Sequence, residues 1–167
     1  MGLTRAFAKR GLIPSGQKVS ELRDNLARLM VESAIVLHDR FGDEGLEALS
    51  EVFRRLGDVD AKQMKNRLGL GETLEDAVDA WRVVGHVMGA KMKVVEISSN
   101  RVNTEHPYCP QHEKFKQRGR LYCESVCLPY VRAIAEGIAP SVKMEVVEPA
   151  SEDKTCVKSL VVRGSSE

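Results

Sequence analysis

The first ninety residues carry hydrophobic side chains at helical spacing. From Ser20 onward, apolar residues recur every three or four positions with charged residues mostly opposite, which predicts an amphipathic helix that ends near Phe41. The face predicted to be buried consists of Leu22, Leu26, Leu29, Met30, Ser33, Val36 and Leu37. A second helix follows, and its apolar stripe consists of Leu46, Leu49, Phe53 and Leu56. We expect Gly57 and Asp58 to interrupt this helix before a further helical piece over residues 61–68.

The clearest helical stripe begins after a glycine-rich break at residues 69–71. Thr73, followed three positions later by Asp76, is typical of a helix N-cap. The apolar face of this helix consists of Leu74, Ala77, Val78, Trp81, Val84, Gly85 and Met88. We expect that face to pack on a sheet and to border a small-molecule pocket, because the helix directly precedes the first strand.

Beyond Lys91 the pattern changes from helical to alternating. Residues 92–98 and 101–104 predict a β-hairpin that turns at Asn100. A helix is expected over about residues 114–137, followed by a second hairpin formed by residues 142–148 and 156–162. The order predicts an α+β fold, with N-terminal helices followed by a β-β-α-β-β antiparallel sheet unit covered by helices.

Length and charge narrow the possible functions. The 167 residues include 25 basic and 24 acidic side chains, so the net charge of +1 gives no electrostatic footprint for nucleic acid or an anionic membrane. No apolar run is long enough to span a bilayer, and the N-terminus lacks the apolar core of a secretory signal, so we expect a cytoplasmic protein. We divide the chain into a helical region (1–69) packed on the same core, an α/β metal- or ligand-binding unit (70–163) and a tail (164–167).

The candidate chemistry lies in the last third of the chain, which contains all four cysteines: Cys109, Cys123, Cys127 and Cys156. In a reducing compartment such cysteines are metal ligands, catalytic thiols or buried apolar residues. Because thiolate and imidazole are ligands of zinc and iron, we predict that the four cysteines hold zinc or an iron–sulfur cluster. Their spacing matches no standard motif, so the identity of the metal stays open. His106 and His112 flank Cys109 in a segment predicted to be a proline-stiffened loop, and either one is an alternative ligand.

Cys123 and Cys127 are four residues apart, so on a helix they would share one face. Pro129 complicates that arrangement, because proline in a helix interior removes a backbone hydrogen bond. Either the helix is kinked at Pro129, or it begins near Leu128 with both cysteines in the preceding turn. Both alternatives bend the backbone beside the two thiols.

The segment EHPYCP at residues 105–110, a cysteine at Cys127 and the segment TCVKSLVV at residues 155–162 resemble proteins grouped with L-2-amino-thiazoline-4-carboxylic acid hydrolase. More distantly, the chain resembles the 4-vinyl reductase small-molecule-binding domain. The resemblance spans roughly residues 70–162 and implies an α/β module with functional cysteines at Cys109, Cys127 and Cys156. Several domains of the second kind hold zinc, but Ser151 stands where their pattern has a cysteine.

Two functions remain open from the sequence. The first is a metal-containing small-molecule-binding protein of this type, which we favour. The second is a hydrolase that opens a cyclic C–N bond of L-2-amino-thiazoline-4-carboxylate or a similar small acid. In the hydrolase, either a metal would activate water, or Cys109 would be the nucleophile with His106 or His112 as the base. The expected partner is a small molecule, not nucleic acid or a membrane, and a homodimer stays open.

Overall fold

The computed structural model describes residues 11–164, so the first ten residues of the predicted helical region and residues 165–167 of the predicted tail lie outside it. The helices are α1 (Ser15–Phe41), α2 (Asp43–Leu68), α3 (Leu74–Met88), α4 (Pro110–Gln117) and α5 (Cys127–Ile138). The strands are β1 (Lys91–Ile97), β2 (Arg101–Tyr108), β3 (Val142–Glu148) and β4 (Val157–Val162). Helices come first and a sheet follows, so the predicted α+β class is confirmed. The division of the chain at residue 69 stays a prediction.

The sheet is antiparallel throughout, with the strand order β1-β2-β4-β3. Both predicted hairpins form, and β4 pairs with β2 to join them. Leu160 of β4 lies opposite Val102 of β2 and Met144 of β3, and all three side chains are buried. Because successive residues of a strand point to opposite faces, this register defines an inner face on which the helices pack.

The helix α3 behaves as its sequence predicts. Thr73 and Asp76 form a reciprocal capping box that satisfies backbone N–H groups at the start of the helix. Trp81 is 3% exposed, and its indole Nε1 donates a hydrogen bond to the carbonyl oxygen of Val131 in α5 at 2.8 Å. The prediction that this face packs on the sheet is confirmed, since Val78 and Trp81 belong to the same buried cluster as Leu160.

The predicted buried face of α1 is wrong for its leucines Leu22 and Leu29 and correct for Met30. Leu22 is 67% exposed and Leu29 is 63% exposed. The buried residues of this helix are Ala27, Met30, Val31 and Ala34, of which the prediction included Met30 alone. Apolar residues occupy more than half of the circumference of α1, so periodicity alone does not decide which side packs inward.

The predicted interruption at Gly57 is also wrong, because α2 is continuous through this residue. A Cβ atom at Gly57 would lie 2.5 Å from the carbonyl oxygen of Tyr130 and 2.7 Å from the Cβ of Ala133, both in α5. The glycine therefore allows close approach of two helices, and it is not a break in one of them.

The single helix predicted over residues 114–137 is two helices, α4 and α5, separated by a turn. Of the two alternatives at Pro129, the second is nearly correct: α5 begins at Cys127, and Cys123 lies in the preceding turn. The backbone N–H of Leu128 donates to the carbonyl oxygen of Cys123 at 3.0 Å. Proline is tolerated in the first turn of a helix because the missing N–H would have no helical partner there.

The approach of α2 to α5 generates a prediction about stability. Gly57→Ala should lower the free energy of unfolding by about 1–3 kcal/mol, because the added methyl group overpacks the contact with Tyr130. Gly16→Ala is the matched control: it lies in α1, and a Cβ there would meet no atom within 4 Å. Better helix propensity should leave this control equally stable or more stable, by up to about 1 kcal/mol. Urea denaturation of the two variants measures the difference, and equal stabilities would contradict the close contact.

Candidate functional site

A cavity of about 230 Å³ lies between the inner face of the sheet and the helices. Its lining is largely apolar and includes Met30, Phe53, Trp81, Val84, Met88, Leu128 and Val131. The prediction that α3 borders a pocket is therefore confirmed. A second cavity of about 240 Å³ shares Cys123, Leu128 and Ala150 with the first and is lined mainly by the turn before α5.

All four cysteines line the first cavity. Cys109 follows β2 and is the N-cap residue of α4, Cys123 lies in the turn before α5, Cys127 is the first residue of α5, and Cys156 immediately precedes β4. The fold thus brings together thiols from four separate segments. All four are free thiols, and Cys123 is the most deeply buried.

Burial favours the neutral form of three of these thiols, those of Cys109, Cys123 and Cys127. It raises the pKa of Cys123 to about 12, with further contributions from Cys156 and Cys109. Burial also raises the pKa of Cys127 well above its ordinary value, and it raises that of Cys109 despite a backbone hydrogen bond from His112. Because the thiolate is both the nucleophile and the metal ligand, this environment disfavours both roles.

The two histidines are not in a loop, as the sequence predicted. His106 belongs to β2 and His112 to α4. Burial, together with the positive charge of Lys158, lowers the pKa of His106 to about 3, although a hydrogen bond to the backbone of Lys91 opposes the shift. His112 is buried, and its Nε2 lies 2.7 Å from the carbonyl oxygen of Ser151. The Nδ1 atoms of both rings are buried without a hydrogen-bond partner.

Two polar groups of the cavity were missed by sequence reasoning. Lys158 in β4 is 4% exposed, and its Nζ lies 3.5 Å from the Sγ of Cys156 and 5.7 Å from the centroid of the Trp81 ring. The signal was present in the sequence, because Lys158 occupies the same face of its strand as Leu160. Tyr130 donates a hydrogen bond to Asp60 Oδ2 at 2.6 Å. Burial and the negative charge of Asp60 raise the pKa of Tyr130.

The geometry does not support a metal centre. In residues 11–164, no group of three or more His, Cys, Asp or Glu side chains is arranged so that it could hold a metal ion. The four cysteines share a cavity wall without forming such a group. Their assignment as ligands, and zinc or an iron–sulfur cluster as the cofactor, stay predictions that the geometry does not support.

Comparison with known proteins gives the class of fold. No protein-family model matches the chain, and no curated protein matches it. Among solved structures, the chain is similar to subunit 3 of a trafficking protein particle complex from Naegleria fowleri, covalently bound to palmitic acid. The TM-score is 0.64 at 13% sequence identity, and the match covers 89% of this chain and 99% of the other. The chain therefore shares the fold of a trafficking-complex subunit.

The function predicted from the sequence is wrong. We expected a metal-containing small-molecule-binding protein or, alternatively, a hydrolase. The fold is instead that of a trafficking-complex subunit, and the part of the chain that the structure describes has no grouping of side chains suited to a metal. The resemblance to the aminothiazoline-carboxylate hydrolase family stays a prediction.

The length and apolar character of the helices decide whether any of them could cross a membrane. Over residues 11–164, none combines the length and the apolar character needed to cross a membrane. The longest helix, α1, has 27 residues but carries charged side chains along its whole length.

The low pKa of His106 generates a prediction about acid sensitivity. Below a pH of about 6.5, the imidazole of His106 is protonated in the unfolded chain but stays neutral in the folded protein. The free energy of unfolding therefore decreases as the pH is lowered. His106→Gln should make stability less dependent on pH between about pH 7 and about pH 5, where carboxylates contribute little. The control is His86→Gln, at an exposed position of α3. Thermal unfolding at several pH values tests this prediction, and an unchanged slope in His106→Gln would refute it.

Proposed function

We propose that this protein is a subunit of a protein assembly and that its central cavity binds a fatty acyl chain. One observation carries the proposal: a largely apolar cavity lies at the centre of a fold shared with a subunit that is described as covalently bound to palmitic acid. An acyl chain gains about 0.8 kcal/mol for each methylene group transferred from water to such a site. Side chains from α1, α2, α3 and α5 contribute to the apolar wall.

The state of three of the thiols favours a bound chain that is not attached to Cys109, Cys123 or Cys127. A thioester forms through a thiolate, and burial raises the pKa of Cys109, Cys123 and Cys127. These three cysteines then act as small apolar wall residues, which is common for buried free cysteine. The chain differs in this respect from the covalently modified subunit whose fold it shares.

The assembly part of the proposal rests on the α1–α2 stripe, a set of exposed apolar side chains on the first two helices. It consists of Leu22, Leu26 and Leu29 of α1 and Val52, Leu56 and Val59 of α2. In each helix these residues follow the spacing i, i+4, i+7, so they form one apolar row along the helix surface. Contiguous exposed apolar patches mark protein interaction sites in water-soluble proteins. We include in this proposal the homodimer that the sequence left open and the cytoplasmic location that it predicted.

Two residues take part in both acyl binding and assembly. Leu26 and Leu56 belong to the α1–α2 stripe and also line the cavity. Both are close to half exposed, at 44% and 49%, so this stretch of the cavity wall reaches the surface. We place the mouth of the cavity there. A protein partner on the stripe would cover the mouth.

Filling the cavity tests acyl binding. Gly85 lines the cavity, and a Cβ there would meet no atom closer than 4.0 Å, so Gly85→Leu has room to enter it. We expect this variant to be at least as stable as the wild type, because leucine is the better helix former, and to lose acyl binding. Displacement of a fluorescent fatty acid and mass spectrometry of extracted lipid measure the loss. Val87→Leu, at an exposed position of the same helix, is the control. Equal binding by both variants would contradict the assigned cavity.

Charging the stripe tests assembly. We expect the wild type to self-associate at micromolar concentration, and Leu22→Glu combined with Leu29→Glu to give a monomer, because buried carboxylates oppose an apolar contact. Both positions are exposed, so the fold should be retained. Val147→Glu, an exposed position of β3, is the control and should leave the oligomeric state unchanged. Sedimentation velocity reports the state, and a monomeric wild type would eliminate the homodimer.

A further inference from the structure

Lys158 is a charged residue at a core position, on the buried face of the sheet. In β4 it lies opposite Thr104 of β2 and Val146 of β3, on the face that carries Leu160. Its side chain points toward Trp81 of α3 and is almost fully buried. Lysine is rarely buried to this extent unless it is paired, because an ammonium group loses strong hydration on leaving water.

The protein itself provides Lys158 with little compensation. The Nζ atom donates to the Sγ of Cys156 at 3.5 Å and lies 5.7 Å from the Trp81 ring. A thiol is a weak acceptor, and an ammonium group has three protons to donate. Among the ion pairs of residues 11–164, none includes Lys158. The charge therefore faces a cavity without a protein counter-ion.

The other ionisable groups of the cavity do not neutralise this charge. Asp60 is a lining carboxylate, but it accepts a hydrogen bond from Tyr130, and among the described residues it forms no ion pair with Lys158. His106 is kept neutral by burial, which holds its pKa at about 3. Among the described residues that line the cavity, Lys158 is thus the one lysine or arginine.

We propose that Lys158 binds the carboxylate of a free fatty acid whose chain occupies the cavity. This inference rests on the proposed acyl-binding function and adds the identity of the head group: an unesterified monocarboxylate rather than a thioester or a neutral lipid. The ligand supplies both features that the cavity lacks, an apolar filling and an anion. In a site shielded from water, a hydrogen bond between two charged groups is stronger than one between neutral groups.

The proposal separates the role of Lys158 in binding from its role in folding. Replacing a buried, unpaired charge by an apolar residue of similar shape is often neutral or stabilising. Lys158→Met should therefore fold at least as well as the wild type in the absence of ligand, while losing the preference for acids. A residue that served the fold alone would show the opposite behaviour.

The test compares hexadecanoic acid with hexadecanol, which has the same chain without the charge, on delipidated full-length protein. Isothermal titration calorimetry should show that the acid binds the wild type about tenfold to a hundredfold more tightly than the alcohol, the range expected for a hydrogen bond between charged groups. Lys158→Met should remove this preference and leave binding of the alcohol unchanged. Lys143→Met, which removes an exposed lysine of β3, should behave as the wild type.

Each outcome bears on the proposal. If acid and alcohol bind the wild type equally, the head-group assignment is overturned while acyl binding stands. If neither binds, both proposals fall together. A hydroxylamine-sensitive mass increase on the purified protein would reveal a thioester, which leaves no carboxylate for Lys158 and overturns the inference. Should Lys158→Met fail to fold, the preference of the wild type for the acid, together with its retention in Lys158→Arg, still decides the question.

Discussion

The approach of α2 to α5 at Gly57 is the contact on which the site depends. The two helices lie so close that the hydrogen atom of glycine fits where a methyl group would collide with the backbone of Tyr130. This distance brings the Tyr130 hydroxyl within reach of Asp60 and sets Cys127 and Leu128 at the cavity wall. It also positions the end of α5, from which the chain enters β3. A wider spacing would separate the helical side of the cavity from the sheet.

Elements specified by neighbouring residues were predicted well from the sequence. The alternating strands, the turn at Asn100 and the cap at Thr73 depend on local spacing, and all three form as expected. Features set by tertiary contact were not predicted. Gly57 has the same appearance in a sequence whether it breaks a helix or allows another helix to approach. The apolar residues of α1 occupy both sides of the helix, so the choice of Met30 over Leu29 for the core depends on what lies beside it.

The apolar surroundings of the candidate site change what its cysteines can do chemically. The clustering of cysteines along the chain favoured a metal, since thiolates are strong ligands. The fold does bring these residues to one cavity, but its apolar wall stabilises the protonated thiols of Cys109, Cys123 and Cys127. The same weak screening strengthens the field of the Lys158 ammonium, which acts on His106 of the neighbouring strand β2. The apolar surroundings that disfavour thiolate ligands thus strengthen the electrostatic influence of Lys158.

If the cavity holds an acyl chain as proposed, the position of Leu26 and Leu56, on the α1–α2 stripe and in the cavity lining, has a kinetic consequence. A chain held inside leaves past these two side chains, so its rate of escape depends on how freely they move. A protein seated over them slows departure and arrival equally. The affinity of the pocket then stays the same, while the lifetime of its occupant lengthens from that of an exchanging ligand to that of the complex itself.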